Sequence, residues 1–257
     1  MNEEMNKSQD KLQHNLITVA SGKGGVGKTW FAATLCQALA QKGKKTLLFD
    51  CDFGLANVDI QLGLMPPHDL GQVISKEITL KDAIYHKASS GLNFDVISGQ
   101  SGSGALASLK IERLIDLGAR ICNLAEEYDY TIMDLGAGVE NSVMTLARAS
   151  DKVIVVITSD PTSLTDAYAF IKLHNMRNND AEIQIVVNMA EDQNEGRRAF
   201  EKILKVCQNF LNISPKLLGV INRDKHVADA IRAQAPLLGR YPQSVAGENV
   251  IEIAKKL

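Results

Sequence analysis

Ser21-Gly22-Lys23-Gly24-Gly25-Val26-Gly27-Lys28-Thr29-Trp30 (SGKGGVGKTW) follows directly on the apolar run Leu16 to Ala20 (LITVA). From Gly22 to Thr29 it satisfies the spacing G-x-x-x-x-G-K-[ST]. Glycines lack a Cβ, so the backbone wraps closely and successive N–H groups point into one concavity, which suits phosphate oxygens. A helix starting at Thr29 aims its positive end at the same point. Lys28 brings charge to the β- and γ-phosphates, and the Thr29 hydroxyl is placed to coordinate Mg²⁺. A plain glycine-rich turn explains the glycines but leaves the lysine–threonine pair unexplained. The stretch therefore predicts a phosphate-binding loop between a strand and a helix.

Outward from this loop, short apolar runs alternate with longer helical patterns. The runs are LITVA, TLLFD (Thr46 to Asp50), FDVIS (Phe94 to Ser98), YTIMD (Tyr130 to Asp134), KVIVVIT (Lys152 to Thr158), IQIVVN (Ile183 to Asn188) and LLGVIN (Leu217 to Asn222). They are continuously apolar rather than alternating, the pattern of strands covered on both faces. The stretches IERLIDLGARICNLAEEY and SLTDAYAFIKLHNM carry helical periodicity. The expected fold is α/β: a doubly wound, mostly parallel sheet with helices on both faces, of the P-loop nucleotide-hydrolase type. Ligands of such sheets sit at the carboxyl ends of the strands, where the loop, Asp50, Asp52, Asp134, Asp160 and Asn188 all fall. Ser98 to Ser108 (SGQSGSGALAS) is Gly/Ser-rich but has no lysine after its glycines, so it reads as a loop rather than a second phosphate site.

Composition narrows the class. The chain has 257 residues, 45% hydrophobic, and a formal net charge of −2. That suits one α/β domain over residues 16–257 after a flexible segment 1–15, and it argues against a generally basic nucleic-acid binder. Cys36, Cys51, Cys122 and Cys207 are scattered without CxxC spacing, which argues against a zinc site or iron–sulfur cluster. The N-terminal MNEEMNKSQDKLQHN has no apolar signal core, and no run approaches the roughly 20 residues of a membrane span. The expectation is a cytoplasmic protein, with peripheral attachment to the inner face of the membrane or the cell pole as the alternative.

The early lysine makes the loop K-G-G-V-G-K-T, from Lys23 to Thr29, which resembles the deviant Walker A motif of the MinD/ParA ATPases. The resemblance runs from Leu16 to the C-terminus. It implies ATP and ADP as nucleotides, Mg²⁺ as cofactor and an ATP-bound homodimer. In that dimer Lys23 crosses to the partner's nucleotide and acts like an arginine finger. It implies contacts to the nucleotide from Gly22, Lys23, Gly24, Gly25, Val26, Gly27, Lys28, Thr29 and Trp30, with Lys23, Lys28 and Asp52 catalytic.

Asp50 and Asp52 end the second run two residues apart, so their side chains face the same side of an extended segment. The resemblance assigns Asp52 to orienting the attacking water and Asp50 to the Mg²⁺ surroundings. It makes Asp134, in YTIMDLGAGVE, the Walker B carboxylate beside Thr29 and Mg²⁺, and sets Gly138 near the γ-phosphate. Glycines after such a strand let the backbone rearrange when that phosphate leaves. Asn188 offers a donor and an acceptor, which suits an adenine edge, and the family uses an asparagine there.

Within the family, DFGLANVDIQLGL (Asp52 to Leu64) and PTSLTDAYAFIK (Pro161 to Lys172) look most like the FlhG/FleN branch, which controls flagellar number and placement. That implies flagellar assembly or regulatory proteins, or an FlhF-like GTPase, as partners. Several residues depart from the pattern. Trp30 stands where relatives carry a small polar residue, Asp160 where many have Glu and Asn222 where many have Pro. QDKLQ is a poor match to the DQAxxL motif through which the branch stimulates its GTPase. Val250, Ile251, Ile253, Ala254 and Leu257 share one helical face, which serves either the core or a weak, transient membrane contact. NEGRRAFEKILK (Asn194 to Lys205) offers a local basic face, so a ParA-like DNA-partitioning ATPase is the alternative. A biosynthetic ATP-dependent enzyme of the same superfamily is a third reading, and no Cys/His/Glu constellation supports it.

Overall fold

The structure is a computed structural model that describes residues 15–90, 92–99 and 109–257. Most of the N-terminal segment 1–15 and of the Gly/Ser-rich stretch 98–108 lies outside these residues. Seven strands, β1 (Leu16–Ser21), β2 (Thr46–Cys51), β3 (Asp95–Ile97), β4 (Tyr130–Ala137), β5 (Lys152–Ile157), β6 (Glu182–Ala190) and β7 (Lys216–Asn222), form one sheet in the order β3-β2-β4-β1-β5-β6-β7. Every neighbouring pair is parallel. Each apolar run in the sequence is one of these strands, with ends displaced by no more than three residues.

Among the described residues the helices are α1 (Lys28–Gln41), α2 (Val58–Leu62), α3 (Leu70–Ile74), α4 (Lys87–Ser90), α5 (Ile111–Ala125), α6 (Asn141–Ala147), α7 (Pro161–Arg177), α8 (Gln193–Leu211), α9 (Lys225–Arg232), α10 (Leu237–Arg240) and α11 (Val245–Ala254). They divide between the two faces of the sheet. Ile17 and Val19 of β1 pack with Phe31 and Leu35 of α1 and with Val250 and Ile253 of α11. Leu16 and Ala20 look the other way, toward Leu117 and Ile121 of α5, Phe170 of α7 and Ile203 of α8. Burial on both faces explains why the strands carry no polar alternation. Each fully buried Leu or Phe contributes about 1.5–3 kcal/mol relative to exposure.

The chain leaves β1 for β2, returns through β4 beside β1, and then runs outward through β5, β6 and β7. The loop after β1 therefore lies where the winding reverses, the position that parallel sheets use for ligands. α1 starts one residue earlier than expected, at Lys28, with Gly27 as its N-cap and no side-chain cap. By contrast α7 and α8 are capped by Asp160 and Asp192.

The C-terminal alternatives are resolved toward the core. Val250, Ile253 and Ala254 are buried with α1, and Ile251 and Leu257 pack partly against the same cluster. Lys42 Nζ donates to the Ala254 carbonyl and Lys256 Nζ to the Leu218 carbonyl, fastening the end of the chain. The apolar face of α11 is thus occupied by protein. Among the described residues, no helix is long and apolar enough to cross a membrane.

His174 of α7 is wholly buried, stacked on Phe170, with neither ring nitrogen hydrogen-bonded. Burial, aided by the charge of Arg148, pushes its pKa down to about 4. Below its ordinary value of about 6.5 the unfolded chain takes a proton that the native state refuses. Stability therefore falls as pH drops from about 6.5 toward 4. His174→Phe should remove this slope. In urea unfolding at pH 7 and pH 5, the variant should lose about 2 kcal/mol less than the parent between the two. Equal losses would show that native His174 accepts the proton.

Candidate nucleotide site

Two close approaches determine the loop between β1 and α1. A Cβ on Gly22 would lie 2.1 Å from the Asp166 carbonyl carbon of α7. Gly27 has φ +83°, and a Cβ there would sit 2.4 Å from Asn188 Nδ2. The same Nδ2 donates to the Val26 carbonyl at 2.8 Å, while Asn188 Oδ1 accepts from Met189 N at 2.9 Å. Asn188 thus ties the end of β6 to the loop through both ends of its amide. The loop, with Trp30, Asp52 and Gly136, borders an open cavity of about 520 Å³. The uncapped N-terminus of α1 borders the same space.

At the cavity floor Lys28 Nζ donates to Asp134 Oδ1 at 2.6 Å. Their side chains are 7% and 0% exposed, so the pair is screened from water. Among the described residues, Asp134 Oδ2 has no hydrogen-bond partner within ordinary distance. Burial pushes the Asp134 carboxyl up, and the Lys28 ammonium opposes that shift. On the neighbouring strand, in register with Asp134, lies Asp50. It is also fully buried, and it does not border the cavity. Its Oδ1 accepts from Asp52 N, and its Oδ2 accepts from Asn57 N and Val58 N, each at 3.1 Å. Burial and then the charge of Asp134 raise its pKa to about 7, against the pull of these N–H groups. Here Asp50 anchors the backbone that leads into α2. Asp52 does reach the cavity, and its Oδ1 accepts from Gly54 N and Leu55 N at 3.2 and 3.0 Å.

Lys23 turns away from the cavity floor. Its Nζ donates to Asp160 Oδ2 at 2.8 Å and to Thr162 Oγ1 at 2.5 Å, at the start of α7. This partner, with Thr162, holds the Asp160 carboxyl below its ordinary range. A second cleft of about 460 Å³ lies between the loop and Thr158, Asp160, Met189 and Arg223.

The structure brings Lys23, Gly24, Gly25, Val26, Gly27, Lys28, Thr29, Trp30 and Asp52 to the main cavity. Gly22, Asp50, Asp134, Gly138 and Asn188 stand behind it. Gly138 N donates to the Ser21 carbonyl at 2.9 Å, closing β4 onto the base of the loop. Trp30 is nearly all core and also borders the cavity. Sequence reading missed the Lys23 contact to Asp160 and Thr162 and the Asn188 tie to Val26. Asp160-Pro161-Thr162 signals a helix cap, but nothing in one dimension links it to a lysine so far away in sequence.

Among the described residues, no three His, Cys, Asp or Glu side chains cluster to hold a metal by themselves. A cation at this site requires oxygens from its ligand, which the Thr29 hydroxyl at the cavity complements. The glycine cradle, the uncapped helix and the orphaned Asp134 oxygen all fit a magnesium–nucleoside phosphate complex.

Fold and site together define a P-loop nucleotide-binding protein, and comparison with known proteins gives its family. The CobQ/CobB/MinD/ParA nucleotide binding domain matches residues 17–237, so the chain belongs to the MinD/ParA family of P-loop ATPases. The antiactivator FleN of Pseudomonas aeruginosa is 35% identical, over 94% of this chain and 85% of its own length. The flagellum site-determining protein YlxH of Helicobacter pylori is 32% identical, over 95% of this chain and 82% of its own. The septum site-determining protein MinD of Pyrococcus horikoshii, solved with Mg-ADP, shares the fold: TM-score 0.79 at 23% identity, covering 94% of each chain.

Removing Lys28 leaves Asp134 buried without its counter-charge. Lys28→Ala should lower unfolding free energy at pH 7 by about 3 kcal/mol. A denaturation midpoint equal to that of the parent would show that the pair does not form in solution.

Proposed function

We propose that residues 16–257 form one ATPase domain that works as an ATP-dependent, dimerising switch with slow hydrolysis, regulating the number or placement of flagella. The observation that carries this reading is the glycine cradle around Lys28, in a chain 35% identical to FleN over 94% of its length. In this reading the loop N–H groups and the start of α1 bind the phosphates. Lys28 leaves Asp134 for the phosphate oxygens. Thr29, supported by Asp134, holds Mg²⁺, which when bound neutralises charge on the β- and γ-phosphate oxygens. Asp52 orients the attacking water. Gly138 lets the chain after β4 follow the γ-phosphate. Asn188 keeps its tie to Val26 and presents its remaining amide hydrogen and lone pair toward the base.

Lys23 is the residue that makes dimerisation matter. In one chain it is engaged by Asp160 and Thr162, so its charge is directed away from the cavity floor. A second copy supplies the phosphate charge that draws it across the interface. The pair with Asp160 is solvent-exposed and screened by water, so it does not oppose that transfer strongly. Partners of the ATP form are flagellar assembly or regulatory proteins, or an FlhF-like GTPase, at the inner face of the cell membrane or the pole. With α11 packed on the core, lipid contact requires a different surface.

Lys23→Ala should retain ATP and lose hydrolysis by about two to three powers of ten, the scale of a charge supplied in trans. Unchanged steady-state turnover would reduce Lys23 to a loop residue. Asp52→Ala should bind ATP and hydrolyse it at least about ten-fold more slowly. Loaded with ATP, that variant should capture flagellar basal-body or regulatory proteins from native lysate, and loaded with ADP it should not. ATP-dependent capture of DNA, weakening with salt, would replace the flagellar reading with a partitioning one.

A further inference from the structure

Trp30 is the chain's one tryptophan. It lies in the first turn of α1, only 6% exposed, and among the described residues its buried indole Nε1 has no hydrogen-bond partner. A buried donor without an acceptor raises the free energy of the state that contains it. One part of Trp30 borders the nucleotide cavity, together with Thr29, Asp52 and Gln61. Another borders a water-sized gap of about 10 Å³ between α1, α2 and the α9–α10 connection, and Gln61 borders that gap as well. Trp30 and Gln61 therefore both stand between the nucleotide and the helices behind it.

The polar side chains around the gap are Thr34, Gln37 and Gln61. Thr34 Oγ1 donates to the Trp30 carbonyl, and Gln37 Oε1 accepts from Leu238 N. Gln61 Nε2 donates to Asn57 Oδ1 at 2.9 Å, and among the described residues its Oε1 accepts no hydrogen bond. Of these three side chains, Gln61 carries the acceptor oxygen that holds no hydrogen bond, and it borders both spaces that Trp30 borders. It belongs to α2, which has five residues and follows directly on the loop bearing Asp52. A helix that short has little stability of its own and takes its position from tertiary contacts. Those contacts include the burial of Val58 and Leu62 in the core cluster that holds Trp30, the Asn57 and Val58 N–H bonds to Asp50, and a bond from Gln234 Nε2 to the Ile60 carbonyl. Trp30, by contrast, is fixed within α1 and the core.

We propose that Trp30 is a positioning residue that reads the nucleotide state. When residues 52–57 close on a γ-phosphate, Gln61 Oε1 meets the indole N–H, and the new bond holds the Asp52 loop in place. This deepens, and rests on, the reading of the cavity as an ATP site.

The test uses the full chain and its single tryptophan. Emission is recorded with Mg-AMPPNP and with Mg-ADP, for the parent, Gln61→Leu and Gln61→Glu, alongside calorimetric titration of each nucleotide. The expected result is a red shift with AMPPNP and none with ADP. Gln61→Leu, with no acceptor, loses the shift and about ten-fold in kcat at unchanged KM for ATP, while Gln61→Glu keeps the shift. AMPPNP that binds by calorimetry without shifting emission, or Gln61→Leu turning over like the parent, overturns the inference and leaves the ATP site standing. Absence of calorimetric binding to the parent overturns both.

Discussion

A lysine and an aspartate 106 positions apart in sequence meet below the cavity, and most of the site is arranged around their contact. Lys28 opens α1, and Asp134 lies in β4 between β1 and β2. Desolvation penalises each charge, so neither side chain is tolerable there alone. Their attraction brings the first turn of α1 onto the sheet and points an ammonium at the space enclosed by the glycine loop. A phosphate entering that space offers the ammonium a stronger partner than a single carboxylate.

A second set of contacts gives this centre its shape. Gly22 admits α7 within a distance that no side chain would allow, and Gly27 admits Asn188. β1, α7 and β6 therefore converge on one loop, and each has a polar group waiting there. Asp50 does the corresponding work on the other side, gathering three N–H groups from the backbone that carries Asp52. Gly22 and Gly27 fix the loop against α7 and β6, while Asp50 and the buried Val58 and Leu62 hold the Asp52 segment and α2.

The fold was almost fully legible from periodicity. Buried parallel strands are continuous apolar runs, and all seven strands carry that signal, even β3 with three residues. The phosphate loop was legible because its chemistry requires glycine at set positions and lysine at its end. Asp50 and Asn188 were legible as polar residues at strand ends, whereas their contacts were not. Asp50 bonds backbone N–H groups, and Asn188 bonds a carbonyl of the loop itself. Local sequence cannot encode such partners, since they depend on how strands β1, β2 and β6 register. The C-terminal apolar face was read correctly as a face, and only packing against α1 and β7 showed what covers it. Trp30 stood out by its departure from the family pattern, but its orphaned N–H emerged only from the packing around it.

In the function proposed above, nucleotide state governs pairing of two chains through Lys23. This dependence is tested most directly by the molar mass of the intact protein in light scattering, with Mg-AMPPNP and with Mg-ADP. The account predicts twice the monomer mass with AMPPNP, monomer with ADP, and a return to monomer mass when AMPPNP is exchanged for ADP. One mass in both nucleotides, with both shown to bind, would contradict it.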